Sequence, residues 1–295
     1  MHISTHNWMR AEPLEVTLAR ISRLGIESIE ISGEPKQFET KASRAALKKH
    51  KVRCWGGVTL TLGERNLAAK DPRQRAASVE YVKSVVTMVH ELEGQEITIV
   101  PATVGKIVAE STPEEEWKWV VQGLKEVYDY AKKCGVRMAI EPLNRFETYF
   151  INRGDQALRM AEEVGPECGV CLDMFHMNIE EVDLFATIRK VGKRLVDFHV
   201  AENNRLAPGQ GNHDWPRVVK TLKEIGYDGA LTLEIVAPVD RTPVSPYKNQ
   251  VEKNPVDISP EQLKFIQDHG SSLLSEEFYT SLYVQSAKTL LPLIR

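Results

Sequence analysis

Two runs, Val170-Cys171-Leu172-Asp173-Met174-Phe175 and Val196-Asp197-Phe198-His199-Val200-Ala201, decide the fold. Each is short, rich in β-branched and aromatic residues, and apolar at successive positions. That pattern belongs to strands buried on both faces. Between them, residues 179–191 have helical spacing and stop at Gly192. This is a βα unit, and the alternation continues both ways. Upstream strands are expected at 3–6, 28–32, 52–60, 97–101 and 138–143, and one more follows at 231–236. Helices are expected at 13–24, 43–51, 72–93, 113–134, 155–164 and 215–225. Several open on Pro or an acid and stop at Gly, the expected helix punctuation.

Eight βα units in series favour a closed α/β barrel, a single (β/α)₈ TIM barrel, over an open sheet. One domain over residues 1–295 is expected. The eighth helix is placed at 275–294, where Phe278, Leu282, Tyr283, Ala287, Leu290, Leu291 and Ile294 recur at helical spacing. Residues 237–274, with five prolines, then form an insertion after strand 8. It reads as a long loop with a short helix at 260–268.

Composition narrows the function. Lys and Arg number 38 against 41 Asp and Glu, for a net charge of −3. A nucleic-acid surface would want a basic excess. Charged residues are 27% and hydrophobic ones 42%, as in a globular chain. No apolar run is long enough to span a membrane. The N-terminal residues lack the basic and apolar regions of a signal peptide, so a cytoplasmic location is expected. Cys168 and Cys171 form a C-x-x-C inside a strand. Their sulfurs should face opposite sides, so they are read as two reduced thiols rather than a metal or redox motif.

Chemistry in a barrel sits at the C-terminal ends of the strands. There the fifth, sixth, seventh and eighth strands carry Glu141, Asp173, His199 and Glu234, each between apolar neighbours. A lone buried carboxylate costs several kcal/mol unless paired or metal-bound. Four such groups converging on the barrel mouth therefore point to a divalent metal centre. Three carboxylates and one imidazole suit Mn²⁺, Mg²⁺ or Co²⁺. In the loops above, Glu147, His176 and Arg205 are within reach of a polyol. Glu180 and Glu181 are read as opening the next helix, and His213-Asp214-Trp215 as marking the start of the one after.

The runs Glu141-Pro142-Leu143-Asn144-Arg145-Phe146-Glu147, Leu172–Glu181 and His199-Val200-Ala201-Glu202-Asn203-Asn204-Arg205 resemble the ketose 3-epimerases. That group includes the D-tagatose and D-psicose (allulose) 3-epimerases of the xylose isomerase-like TIM-barrel superfamily. The motif resemblance runs from Glu141 to Glu234. Before Val136 it is architectural, and after Val236 the sequence departs from the usual epimerase ending. The resemblance implies metal ligation by Glu141, Asp173, His199 and Glu234, with Mn²⁺ the first choice. It makes Glu141 and Glu234 the catalytic acid/base pair. It implies that Glu147, His176 and Arg205 hold the O1–O2 end of a ketose, and it suggests a homodimer or homotetramer. His6 and Trp8 occupy the region of the family's first-strand pocket residues, and Trp55 is placed near it, so all three are expected at the substrate.

Such a site inverts the carbon beside a ketone through a cis-enediolate. The metal stabilises developing charge, one carboxylate removes a proton, and the other returns one to the opposite face. No Gly-rich phosphate cradle follows strands 7 or 8, so a free keto-sugar is expected rather than a phosphate ester. Competing readings are a 3-keto-glycoside epimerase or C-glycoside-cleaving lyase on the same scaffold, and an aldose–ketose isomerase of hydroxypyruvate type. An endonuclease of the endonuclease IV type would need more histidines and a basic face. Neither nucleic acid nor membrane is expected as a partner.

Overall fold

The computed structural model describes residues 1–247, 249–251, 258–269 and 271–295. Eight strands are present: β1 His2–Thr5, β2 Ser28–Ser32, β3 Arg53–Val58, β4 Glu96–Ile99, β5 Arg137–Ile140, β6 Gly169–Asp173, β7 Leu195–Val200 and β8 Ala230–Leu233. All paired neighbours are parallel, in the order β1-β8-β7-β6-β5-β4-β3-β2. The seam between β1 and β2 is joined by a single parallel bridge, His6 to Glu30, which nearly closes the barrel.

The helices are α1 Leu14–Arg23, α2 Thr40–His50, α3 Pro72–Glu91, α4 Pro113–Cys134, α5 Gly154–Val164, α6 Met174–Glu180, α7 Leu184–Val191, α8 Trp215–Glu224, α9 Pro260–His269 and α10 Glu276–Ile294. Their limits follow from capping. Asp71, Thr112 and Asp214 accept hydrogen bonds from first-turn N–H groups of α3, α4 and α8, each with Pro in its first turn. Gly135 ends α4 with φ 70°, where a side chain would be strained. Among the described residues, no helix is long and apolar enough to cross a membrane.

Two expectations are corrected. The helix expected at 179–191 is two helices, because Asp173 caps α6 and Asp183 caps α7. Glu180 and Glu181 therefore close α6 rather than open a helix. Glu180 binds the Arg145 guanidinium, and Glu181 accepts from Gly154 N and Thr187 Oγ1. They tie loops together instead of serving a helix dipole. The helix expected at 43–51 begins earlier, at Thr40, because Glu39 accepts from Lys41 N and Ala42 N.

The insertion folds over the barrel mouth. Its helix α9 matches the expected position, although residues 248, 252–257 and 270 lie outside the described residues. Arg10 bridges Ser272, which holds the segment to the β1 side of the barrel, and Val251 bridges Leu274 within the segment itself. Ser275 caps α10, which packs on α8 and β1. Tyr283 OH lies 2.7 Å from Thr5 Oγ1, fixing α10 to the first strand.

Outward-facing strand residues such as Ile29, Ile31, Leu172, Phe198 and Leu231 join one large core with the helices. Cys168 belongs to that core, while Cys171 packs separately with Ala139 and Val196. All four cysteines are free, and the two of the C-x-x-C fall in different apolar clusters.

The barrel interior is unusually polar. Glu30, Glu96, Thr98, Asp197 and Thr232 are all buried. Barrel interiors ordinarily hold layers of branched apolar side chains. Gly56 belongs to this arrangement, because a Cβ there would lie 1.8 Å from Glu96 Oε1. Burial, reinforced by Glu30 and Asp197, raises the Glu96 carboxyl well above its ordinary range. In the folded state Glu96 therefore keeps a proton that the unfolded chain releases near its ordinary value of 4.5. Stability contributed by this group is complete at acid pH and is lost as pH rises towards the folded-state value. Glu96→Gln should accordingly flatten the fall in melting temperature between about pH 5 and pH 8. It should melt above wild type at the upper end, as read by calorimetry across that range.

Candidate metal centre and substrate cavity

Strand register brings the expected residues together. Asp173 is the last residue of β6, paired with His199 of β7. Glu141 and Glu234 stand one residue beyond β5 and β8. Their N–H groups continue the ladders to Ile99 O at 3.0 Å and Val200 O at 3.1 Å. Ligand atoms of Glu141, Asp173, His199 and Glu234 all lie within 4.8 Å of one another. His199 Nδ1 is 3.1 Å from Glu141 Oε1 and 3.4 Å from Glu234 Oε2. Glu141, Asp173 and His199 are buried, and only Glu234 is partly open, with 14% of its side chain exposed.

The electrostatics mark this as a site that calls for a compensating cation. Asp173 Oδ1 accepts from His176 N at 2.9 Å, but Asp173 Oδ2 and Glu234 Oε2 have no hydrogen-bond partner. Burial and the nearby Glu234 push Asp173 up to about 7, against the pull of Arg205. Burial also raises Glu141, against the opposing His199. Burial alone would lower His199, but Cys171, Glu141, Glu30 and Asp197 outweigh it and raise it well above the usual imidazole range. Two orphaned carboxylate oxygens and one imidazole, all aimed at one point, form a donor set that fits a hard divalent cation.

Above this point lies a cavity of about 440 Å³. Its polar lining includes Glu141, Glu147, His176, Arg205 and Glu234. Trp8, Val58, Leu60, Val100, Val104 and Leu143 supply apolar lining, and Gln267 of α9 reaches in from the insertion. The volume falls in the range of small-molecule sites, roughly 300–1,000 Å³.

The polar lining is a connected network. Asn144 Nδ2 donates to Glu147 Oε1 at 2.9 Å, and Asn144 N donates to His176 Nδ1 at 3.2 Å. Accepting at Nδ1 keeps His176 neutral, in accord with a basicity lowered well below normal by burial, Arg205 and His199. Arg205 Nη2 sits 3.2 Å from His176 Nε2 and 3.4 Å from Glu147 Oε1, with its guanidinium 4.1 Å from the Phe175 ring centre. Arg205 has φ 61°, uncommon for a residue with a side chain. The buried Glu202 makes that turn: its N–H donates to Leu206 O, and its carboxylate accepts from Gly209 N, His213 N and Trp215 Nε1. Backbone strain of this kind tends to gather at functional sites.

The remaining expected residues divide. Trp8 lines the cavity. His6 is fully buried behind it, with its ring 3.8 Å from that of Trp8 and 4.7 Å from that of His199. Trp55 is not at the substrate. It lies near the start of β3, at the opposite end of the barrel, edge-on to His2 and donating to Asp197 Oδ1 at 3.1 Å. Asn144, Asp197 and Glu30 belong to the site but were not expected there. Asp197 and Glu30 carry the signal that singled out the ligands, an acid flanked by apolar strand residues, but lie deeper than the strand ends.

A family model described as a xylose isomerase-like TIM barrel matches residues 18–269. The D-psicose 3-epimerase of Ruminiclostridium cellulolyticum is 30% identical over 228 residues, 74% of this chain and 76% of that protein. The 3-dehydro-D-guloside 4-epimerase of Escherichia coli is 25% identical over 224 residues, 72% of this chain and 84% of that protein. The crystal structure of D-psicose 3-epimerase with D-tagatose from Clostridium cellulolyticum H10 superposes with a TM-score of 0.82. At 22% identity that match is one of fold, and it covers 100% of both chains. Likeness of fold thus continues beyond Val236, where the sequence motifs end.

The arrangement predicts that a divalent ion stabilises the folded protein. Mn²⁺ at a hundred times its dissociation constant should add about 2.7 kcal/mol to the metal-stripped protein, seen as a higher melting temperature. Asp173→Asn and Glu141→Gln should remove most of that gain while leaving the stripped proteins at least as stable as stripped wild type.

Proposed function

The chain belongs to the xylose isomerase-like TIM barrel family, and from that premise we propose that it is a metal-dependent sugar epimerase. It inverts the carbon adjacent to the ketone of a non-phosphorylated keto-sugar. The observation that carries this reading is the pair Glu141 and Glu234. They come from β5 and β8, separated on the barrel wall by β6 and β7, and flank His199 Nδ1 at 3.1 and 3.4 Å, on the wall of a sugar-sized cavity. Its curated relatives named as 3-epimerases and 4-epimerases support the reaction class.

Glu141, Asp173, His199 and Glu234 would hold the ion. When bound, it supplies a Lewis acid that stabilises negative charge developing beside the exchanged proton. Glu141 and Glu234 exchange protons with the carbon from its two faces, one removing and the other returning, through a cis-enediolate. Burial that raises Glu141 favours its reversible use as acid and base. Arg205, His176 and Glu147 orient the carbonyl end. Trp8 and the aliphatic wall exclude water, which keeps the enediolate from being protonated at random.

A free sugar fits the cavity better than a phosphate ester. Among the described lining residues Arg205 is the one guanidinium or ammonium group, and Glu147 already faces it. Mn²⁺ as resident ion and a homodimer or homotetramer belong to the same reading, tested by metal analysis and light scattering.

The E. coli relative, named as a 3-dehydro-D-guloside 4-epimerase, favours a second reading, epimerisation of a 3-keto-glycoside with the same residues. One experiment separates these. The Mn²⁺-loaded enzyme is incubated in D₂O with D-fructose, D-tagatose, L-ribulose or a 3-keto-glucoside, and the ion is removed before NMR. Deuterium should enter the carbon beside the ketone, together with formation of the epimer, in the arm that matches. Exchange in none of the four would sink the epimerase reading. Glu141→Gln and Glu234→Gln should each lower the rate by about 10²–10⁴-fold, and wild-type rates in both would remove them from the proton transfer. Arg205→Lys, which loses the planar fork, should raise KM more than it lowers kcat, in steady-state assays.

A further inference from the structure

Beneath the proposed centre, His199 meets a second set of acids. Its Nε2 lies 3.0 Å from Asp197 Oδ2 and 3.4 Å from Glu30 Oε2, within ion-pair distance of both but in hydrogen-bond alignment with neither. Asp197 is the better anchored. Its Oδ1 accepts from Trp55 Nε1 at 3.1 Å, and Thr232 Oγ1 stands 3.4 Å away while donating to Glu30 Oε1 at 2.5 Å. Glu30 Oε2, by contrast, has no hydrogen-bond partner and lies 3.6 Å from His6 Nδ1. A continuous line of contacts therefore runs through the barrel, from Trp55 to Asp197 to the His199 ring to Glu141 and Glu234.

We propose that Asp197, held by Trp55, is the positioning residue of the metal centre. It would fix the His199 ring so that, when the ion is bound, the proton stays on Nε2 and Nδ1, on the side of Glu141 and Glu234, is free to ligate. This rests on the metal-dependent reading above. The physical basis is general. A ligating imidazole whose far nitrogen faces a carboxylate is locked in tautomer and orientation and is a stronger donor. Asp197 is two residues before His199 on β7, so the period of two along a strand turns both side chains into the barrel. Asp197 is completely buried and has no access to the substrate, so its influence must pass through His199. Trp55 gains a role at the same time. It acts as the anchor at the far end of the barrel, with its indole N–H as the working group.

The test compares wild type, Asp197→Asn, Trp55→Phe and Asp173→Asn as full-length proteins. Mn²⁺ affinity is read by competition with a fluorescent chelator, ligand geometry by the visible spectrum of the Co²⁺ form, and folding by the melting temperature of the stripped protein. Asp197→Asn should weaken Mn²⁺ binding by about 10–100-fold and alter the Co²⁺ spectrum. Trp55→Phe should shift both in the same direction by a smaller factor, with its stripped melting temperature within a few degrees of wild type. Wild-type affinity and spectrum in Asp197→Asn would overturn the proposal. If that variant does not fold, unchanged affinity in Trp55→Phe would do so. Failure of the metal reading is distinct: wild type itself would bind no Mn²⁺, or Asp173→Asn would bind it as tightly as wild type.

Discussion

One imidazole, sealed in the barrel between two sets of acids, is the constraint on which the rest of the structure depends. His199 has no exposed surface, and carboxylates face both of its nitrogens. Glu141, Asp173 and Glu234 lie towards the mouth, while Glu30 and Asp197 lie below. Buried carboxylates this close cannot all be ionised without cations. The barrel meets that demand at three depths. Arg205 caps the mouth, where Glu234, Asp173, Glu147 and Glu141 strengthen its hold on its proton. The ring of His199 serves the middle. At the bottom, burial and the neighbouring acids favour the neutral forms of Glu96 and Glu30, Glu30 being raised to about 8 chiefly by burial and by Asp197. What is left over is negative charge at the mouth, the one layer open to a cation from solvent.

That gradient explains features that otherwise look unrelated. Gly56 has no side chain because the Glu96 carboxyl occupies its space. Arg205 tolerates a left-handed backbone because the Glu202 turn holds the loop tightly enough to aim its guanidinium over the acids. His176 stays neutral because a charged ring would face both Arg205 and His199. Each adjustment costs something locally and is tolerated because the surrounding core of large aliphatic side chains is extensive.

The fold was legible because strands buried on both faces announce themselves as unbroken apolar runs, and because Pro, Asp and Gly mark helix ends. The four proposed ligands were legible because a single acid or histidine interrupting such a run is conspicuous. The same signal was present at Glu30 and Asp197, but both lie mid-strand, below the strand ends where chemistry is ordinarily found; Glu96 opens its strand after Gln95 and carries no such signal. Trp55 was misplaced for a related reason. β3 spans Arg53–Val58, shorter than the sequence suggested, which puts Trp55 near the entry of the strand and therefore at the floor of the barrel. Glu180 and Glu181 were misread because acids near a helix boundary look alike whether they favour a dipole or tether a loop. Only the position of Asp183 as a cap decides between the two.

The insertion was the least legible part, since its contacts are distant in sequence and follow no period. Gln250 shows how it is held. Its side chain donates to Pro238 O and accepts from Asp240 N, and its backbone carbonyl accepts from Ser275 N, so one residue gathers both ends of the segment. Ser272 Oγ and Arg10 then attach it to the β1 side of the mouth. The consequence is that α9 brings Gln267 to the same cavity that the proposed proton-transfer groups line. In the proposed reaction the acids and Arg205 would act beside the ketone, while Gln267 and the aliphatic lining would meet the rest of the sugar, so a change of substrate size need not disturb the charge balance inside the barrel.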